Sequence, residues 1–268
     1  MTTLRAIPDE LWQLIEPQIP VRPPRLKGGR PPVDGRTMLN GIFYILRGGN
    51  AWREMPKEYG PWSTVYTRFR AWRDAHFFEA IWHLCRQYYD DLHGIVWEWQ
   101  SSDGTYVRSP LGGPDNGPNP TDRAKPGMKD EVLVDGRGVP LAIITTPANV
   151  NDHIALPALL ANPVVVRPQP TTEQPHNLCL DAAFDNEPTR AILCRENYVG
   201  HIAPKGGRPH EAPQHEGGQA RPWVVERAHA WLDRFRRLVT NWEKSKESRY
   251  AFLCLERVRK PRTQIAVG

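Results

Sequence analysis

The sequence lacks the marks of several protein classes. Its four cysteines, Cys85, Cys179, Cys194 and Cys254, are scattered and form no CxxC pair. Neither a disulfide frame nor a cysteine-based zinc site is indicated. No uninterrupted apolar run approaches the ~20 residues that span a bilayer, so no membrane partner is expected. The opening stretch MTTLRAIPDELW has no charged-then-apolar leader pattern, and the expected location is the cytoplasm. No internal repeat is visible.

What is present is an ordinary globular composition with uneven charge. The 268 residues are 24% charged and 40% hydrophobic, enough for two modest domains or one large one. Residues 1–74 hold 12 Lys/Arg against 7 Asp/Glu, and residues 205–268 hold 14 against 7. The middle, 75–204, holds 9 against 16. Two basic ends around an acidic centre suit a chain that grips a polyanion with its flanks and holds divalent cations in between.

The chain divides near residue 94. Residues 1–94 read as helical. PDELWQLIEPQIP (8–20) gives a short helix. VRPPRLKGGRPP (21–32) is an extended basic arm. A helix is predicted from Asp34, with Met38, Leu39, Ile42, Phe43, Ile45 and Leu46 at helical spacing and Gly48–Gly49 at its end. Ser63 is the expected N-cap of a third helix, STVYTRFRAWRDA, with Val65, Phe69 and Trp72 inward and Thr67, Arg68, Arg70 and Arg73 outward. HFFEAIWHLCRQYYDDL closes the segment as a fourth helix. Helix, turn, then a helix with an Arg- and Tyr-bearing face is a helix-turn-helix outline.

Residues 95–268 change texture. IVWEWQSSDGTYV (95–107) predicts a strand running into Asp103. EVLVDGRGVPLAIITT (131–146) predicts two strands joined at Asp135-Gly136. IALPALLA, EPTRAILCREN and the stretch from Trp223 predict helices. NLCLDAAF predicts a strand ending at Asp181, and YVGHIA a short strand. The sum is a mixed α/β layer. Residues 108–127 and 204–222 read as long Gly/Pro-rich loops, a kind usually functional or mobile.

Three carboxylates stand out. Aspartate is a poor strand former, so Asp103 and Asp181 at β-runs ask for a reason; turn initiation and capping are the bland ones. In RPWVVERAHAWLDRFRRL (221–238), Val224, Ala228, Trp231, Phe235 and Leu238 form an apolar stripe, widened by Val225, Leu232 and Val239. Glu226 lies on the opposite side of the wheel with Asp233 and Arg237. That is either a solvated helix face or a carboxylate aimed at a site. Two aspartates from neighbouring strands and a helical glutamate suit two Mg²⁺ or Mn²⁺ ions, which take oxygen ligands and serve phosphodiester chemistry.

The quoted residues match a family pattern. LRAIPDELWQLIEPQIP, GRPPVDGRTMLNGIFYILRGGNAWREMP and YGPWSTVYTRFRAWRD, followed by DGTYVR, KPGMKDEVLVDGRGVPLAIITTPANVNDH, LCLDAAFDN and WVVERAHAWLDRFRRLVTNWEK, resemble the DDE transposases of bacterial insertion sequences over nearly the whole chain. The resemblance implies an RNase H-like catalytic domain behind a helix-turn-helix region. It implies Asp103, Asp181 and Glu226 as the catalytic, metal-binding triad. The implied reaction is metal-dependent cleavage at the element's ends and transfer of the 3′-OH to target DNA. The implied partners are double-stranded DNA, as terminal inverted repeats and as target, and further copies of the chain.

Arg227, Arg234, Arg236, Arg237, Lys244 and Lys246 are candidates for phosphate contacts. Trp62, Tyr66, Arg68 and Arg70 are candidates for reading the end sequence. The chain departs from the family in four places. Ala182-Ala183-Phe184-Asp185 follows Asp181, where the family has Lys or Arg and then Gly-Tyr-Asp. Pro222 stands where an arginine usually precedes Trp-Val-Val-Glu. Asp130-Glu131 replaces a basic residue and His after Lys129. VRKPRTQIAVG replaces a long apolar helix ending in arginines, which predicts a shortened closing helix. Two further readings share the triad: a catalytically dead, DNA-binding copy, and a metal-dependent nuclease without strand transfer.

Overall fold

The computed structural model describes residues 7–21, 33–202 and 223–258. Most of the basic arm over 21–32, the 204–222 loop with Arg221 and Pro222, and the tail beyond Val258 lie outside the described residues.

Four helices come first: α1 (Asp9–Ile15), α2 (Gly35–Gly48), α3 (Trp62–Asp74) and α4 (Phe77–His93). All six apolar positions predicted for α2 are buried. Its start is fixed by Asp34, whose carboxylate accepts the Thr37 N–H at 2.9 Å, and its end by Gly49 at φ 70°. α3 begins two residues earlier than an N-cap at Ser63 predicted. Pro61 occupies the cap position, supplying a fixed φ, and Ser63 falls inside the first turn. Val65, Phe69 and Trp72 are buried as predicted, but so is Arg68, expected outside. Its guanidinium lies over the Trp72 ring, which covers the charge with an aromatic face.

The sheet is formed by β1 (Trp99–Arg108), β2 (Gly117–Pro118), β3 (Pro126–Asp135), β4 (Pro140–Pro147), β5 (His176–Leu180) and β6 (Tyr198–Ile202). β1 starts four residues later than the predicted run. β3 carries β1 antiparallel on one edge and β4, continued by the short β2, on the other. β5 pairs β1 in parallel, and β6 pairs β5 in parallel. The spatial order β4-β3-β1-β5-β6, with an antiparallel triplet followed by two parallel strands, is the RNase H-like arrangement. The β3–β4 turn is held by Asp135, fully buried, whose carboxylate accepts the N–H groups of Val96, Arg137 and Val139.

Helices cover both faces. α5 (Asp152–Ala161) and α6 (Glu187–Arg195) bury Leu156, Leu159, Ile192 and Leu193 against Leu133, Leu178 and Leu180. On the other face, α7 (Trp223–Leu232), α8 (Arg236–Val239) and α9 (Lys246–Val258) pack over Val132, Val134 and Ile143. The same apolar cluster takes in residues from α1 to α4. The helical layer and the sheet therefore share a continuous core across residue 94, where Gly94 caps α4.

The predicted long helix from Trp223 to Leu238 is broken. α7 ends at Leu232, and Phe235 is extended before α8 begins. The break turns Arg237 inward, 8% exposed. There it donates to Glu243 at 2.9 Å and to the Asn50 carbonyl at 3.3 Å, at the end of α2. A straight helix would leave Arg237 in solvent with Glu226. Val239, expected in the stripe, is exposed. In α9, the run from Ala251 to Val258 is buried throughout.

Candidate active site

Alternation along the strands decides which side chains share a face. In β1, Asp103 pairs with Val132 of β3, whose side chain lies in the core under α7. In β5, Leu178 and Leu180 face the opposite core, so Cys179 and Asp181 take the α7 side. The parallel register matches Ser101 with Cys179. Two residues further on, Asp103 stands level with Asp181 on the neighbouring strand. α7 crosses this face with Val224, Val225 and Ala228 buried and Glu226 exposed. The structure thus brings the three predicted carboxylates to one end of one sheet face.

Their electrostatics agree. Burial pushes the Asp103 carboxyl above its ordinary range, the Gly104 N–H opposes that, and the negative charges of Asp181 and Glu226 raise it further. Asp103 Oδ1 accepts the Gly104 N–H at 2.8 Å. Asp181 caps a short 3-10 turn by accepting the Ala183 N–H at 2.9 Å. Each carboxylate is oriented by a backbone donor and retains acceptor capacity. Among the described residues, no three His, Cys, Asp or Glu side chains are grouped closely enough to hold a metal ion.

Three neighbours escaped the sequence reading as site residues. His229, buried one turn after Glu226 on α7, places Nε2 3.7 Å from Asp103 Oδ2. Lys129 and Glu131, both buried, occupy β3 beside Asp103. Their signal was the run Lys129-Asp130-Glu131 inside an otherwise apolar strand. His229 was legible only as i+3 from Glu226.

The candidate DNA contacts divide. Trp62 is exposed, with the Arg53 guanidinium 5.6 Å from its ring. Tyr66 is half-buried against Trp52. Arg70, Arg236 and Lys244 are exposed. Arg227 is exposed and donates to the Arg137 carbonyl. Arg234 lies 4.0 Å over Trp231, and Lys246 stands 3.8 Å from Asp115. Arg68 and Arg237 are buried, the first against Trp72 and the second paired with Glu243. No helix among the described residues is long and apolar enough to cross a membrane.

Comparison with known proteins adds kinship to this geometry. A family profile described as "Transposase DDE domain" matches residues 102–254, and one described as "Putative transposase of IS4/5 family" matches residues 7–82. A putative transposase for insertion sequence element IS402 from Burkholderia cepacia is 40% identical over 148 residues, covering 54% of this chain and 67% of that protein. An uncharacterized 16.2 kDa protein of the same element is 39% identical over 94 residues, covering 34% of this chain and 56% of that protein. Among solved structures, a Mos1 strand-transfer complex aligns over 91% of this chain and 79% of the other, at 10% identity and a TM-score of 0.35. A Mos1 mariner paired-end complex with Mn aligns over 89% and 81%, at 13% identity and a TM-score of 0.29.

Proposed function

The chain belongs to the transposase DDE-domain family, and on that premise we propose that it binds the ends of an insertion sequence and catalyses divalent-metal-dependent cleavage and transfer of DNA strands at Asp103, Asp181 and Glu226. The observation that carries this reading is the register of β1 and β5. It sets two aspartates level on adjacent parallel strands, on the face that α7 covers with Glu226.

The residues suit hard cations. All three are carboxylates, and the charges of Asp181 and Glu226, which add to burial in raising Asp103, are ones a cation would offset. Two Mg²⁺ or Mn²⁺ ions bound there supply charge neutralisation and Lewis acidity for phosphodiester chemistry. The chain's own part is positioning. The Gly104 and Ala183 N–H groups aim Asp103 and Asp181. α7 holds Glu226 over the strand ends through Val224, Val225 and Ala228.

The remaining assignments follow from the surface. Arg227, Arg234, Arg236, Lys244 and Lys246 serve phosphate contacts, and Trp62, Tyr66 and Arg70 serve recognition of the terminal inverted repeats. Burial removes Arg68 and Arg237 from that set in this conformation. Further copies of the chain assembled on the DNA would complete the reaction unit. The helical region before residue 95 serves as the DNA-binding part.

A second reading is a copy that binds element ends without cutting them. It is favoured by the departures from the family pattern after Asp181 and at Pro222. Oligonucleotides carrying the element's inverted repeats, incubated with the protein and Mg²⁺ or Mn²⁺, separate the readings. Nicked and joined products support the transposase. Nicking without joining supports a nuclease, and salt-sensitive binding alone supports the silent copy.

A further inference from the structure

Gly104 follows Asp103 on β1 and lies across from Glu131 on β3. A Cβ at residue 104 would stand 2.8 Å from both carboxylate oxygens of Glu131. A methyl there would press on these oxygens. Glu131 is 1% exposed, and by the alternation of β3 it lies on the sheet face opposite Val132 and the Asp103 carboxylate.

Glu131 is held by Lys129, its neighbour two residues back on the same face. Lys129 Nζ stands 3.4 Å from Glu131 Oε1, donates to the Val150 carbonyl at 2.7 Å and contacts the Asp152 carboxylate at the start of α5. A lysine and two acids, Asp152 at the partly exposed edge, thus form a cluster directly behind Gly104. On its front side, the Gly104 N–H donates to Asp103 Oδ1. One residue is pressed from behind by the cluster and holds the carboxylate in front. Buried ion clusters are poor sources of stability compared with apolar packing. A role in fixing geometry accounts for keeping one here.

We propose that Glu131 and Lys129 are positioning residues. They brace β1 from behind at Gly104 and, through its amide, fix the direction in which the Asp103 carboxylate points toward Asp181 and Glu226. The proposal rests on the reading that these three carboxylates hold divalent cations.

The test uses the full chain, with Mn²⁺ affinity read by electron paramagnetic resonance and the thermal midpoint measured beside it. Gly104→Ala and Glu131→Ala are each expected to weaken Mn²⁺ binding by about tenfold or more, the usual scale for groups that orient ligands. The double variant is expected to return to within about threefold of the parent, because the methyl added at residue 104 fills the space the carboxylate vacates. Glu131→Gln, which keeps the shape, is expected to stay in the same range. If Gly104→Ala does not fold alone, restored folding in the double variant reads the contact, and its Mn²⁺ affinity decides the rest.

Wild-type affinity in both single variants, with loss in Asp103→Asn, overturns the brace and leaves the metal reading intact. A double variant no better than its worse parent also overturns it. Unchanged Mn²⁺ binding in Asp103→Asn overturns the metal reading and the brace with it.

Discussion

Breaking the ion pair between Asp130 and Arg249 should unfold the protein at a much lower temperature. Both residues are 2% exposed, one on β3 and the other on α9. Arg249 Nε donates to Asp130 Oδ1 at 3.2 Å, and Nη2 reaches the second oxygen and the Leu238 carbonyl. Thr145 Oγ1 also donates to Asp130, at 2.8 Å. Asp130→Ala leaves a guanidinium in the core with only a carbonyl to satisfy it. Orphaning a buried charge in this way costs about 3–5 kcal/mol. For a domain of this size each kcal/mol lowers the midpoint by about 2–4 °C, so the expected fall is roughly 6–20 °C. Replacing both partners, as Asp130→Val with Arg249→Met, removes the charge along with its need. That variant should recover to within about 2 kcal/mol of the parent. Differential scanning calorimetry and urea unfolding measure both. A single variant within about 1 kcal/mol of the parent would refute the reasoning, as would a double variant less stable than the single.

Burial lifts the Glu131 carboxyl from its ordinary 4.5 to about 7. A raised folded-state value means stability present at acid pH that is lost as pH rises from about 4.5 through 7. Glu131→Gln should flatten that loss, gaining at most about 3 kcal/mol on the parent at about pH 8 relative to about pH 4 in urea titrations. Phe252 is buried at the meeting of α9 and α3, its ring 4.7 Å from that of Phe69. Phe252→Ala should cost about 3–5 kcal/mol in equilibrium unfolding. Asp34→Ala removes the cap of α2 and should cost about 1 kcal/mol by the same measurement.

Elements with strong periodicity could be read from the sequence, and side-chain environments could not. α2 shows its six apolar positions at helical spacing, and the β3–β4 hairpin shows its turn at Asp135-Gly136. The meeting of Asp103 with Asp181 was not readable from spacing. It depends on a parallel pairing between strands far apart in sequence, and the family resemblance supplied that expectation. Arg68 and Arg237 looked like surface residues because arginine usually is one. Their burial depends on Trp72, Glu243 and a helix break that a periodic stripe conceals. Asp130 and Glu131, after Lys129, were visible as a departure from the family pattern. Their alternate facing, with Asp130 toward α9 and Lys129 and Glu131 toward α5, needed the register of the sheet.

The proposed activity depends on the three carboxylates. The decisive measurement follows cleavage and joining of labelled inverted-repeat DNA in Mg²⁺ by the parent and by Asp103→Asn, Asp181→Asn and Glu226→Gln, with DNA affinity measured in parallel. The predicted result is product from the parent only, with all four proteins binding the DNA equally well. Cleavage that persists in Asp103→Asn, or in either of the other two, would contradict it.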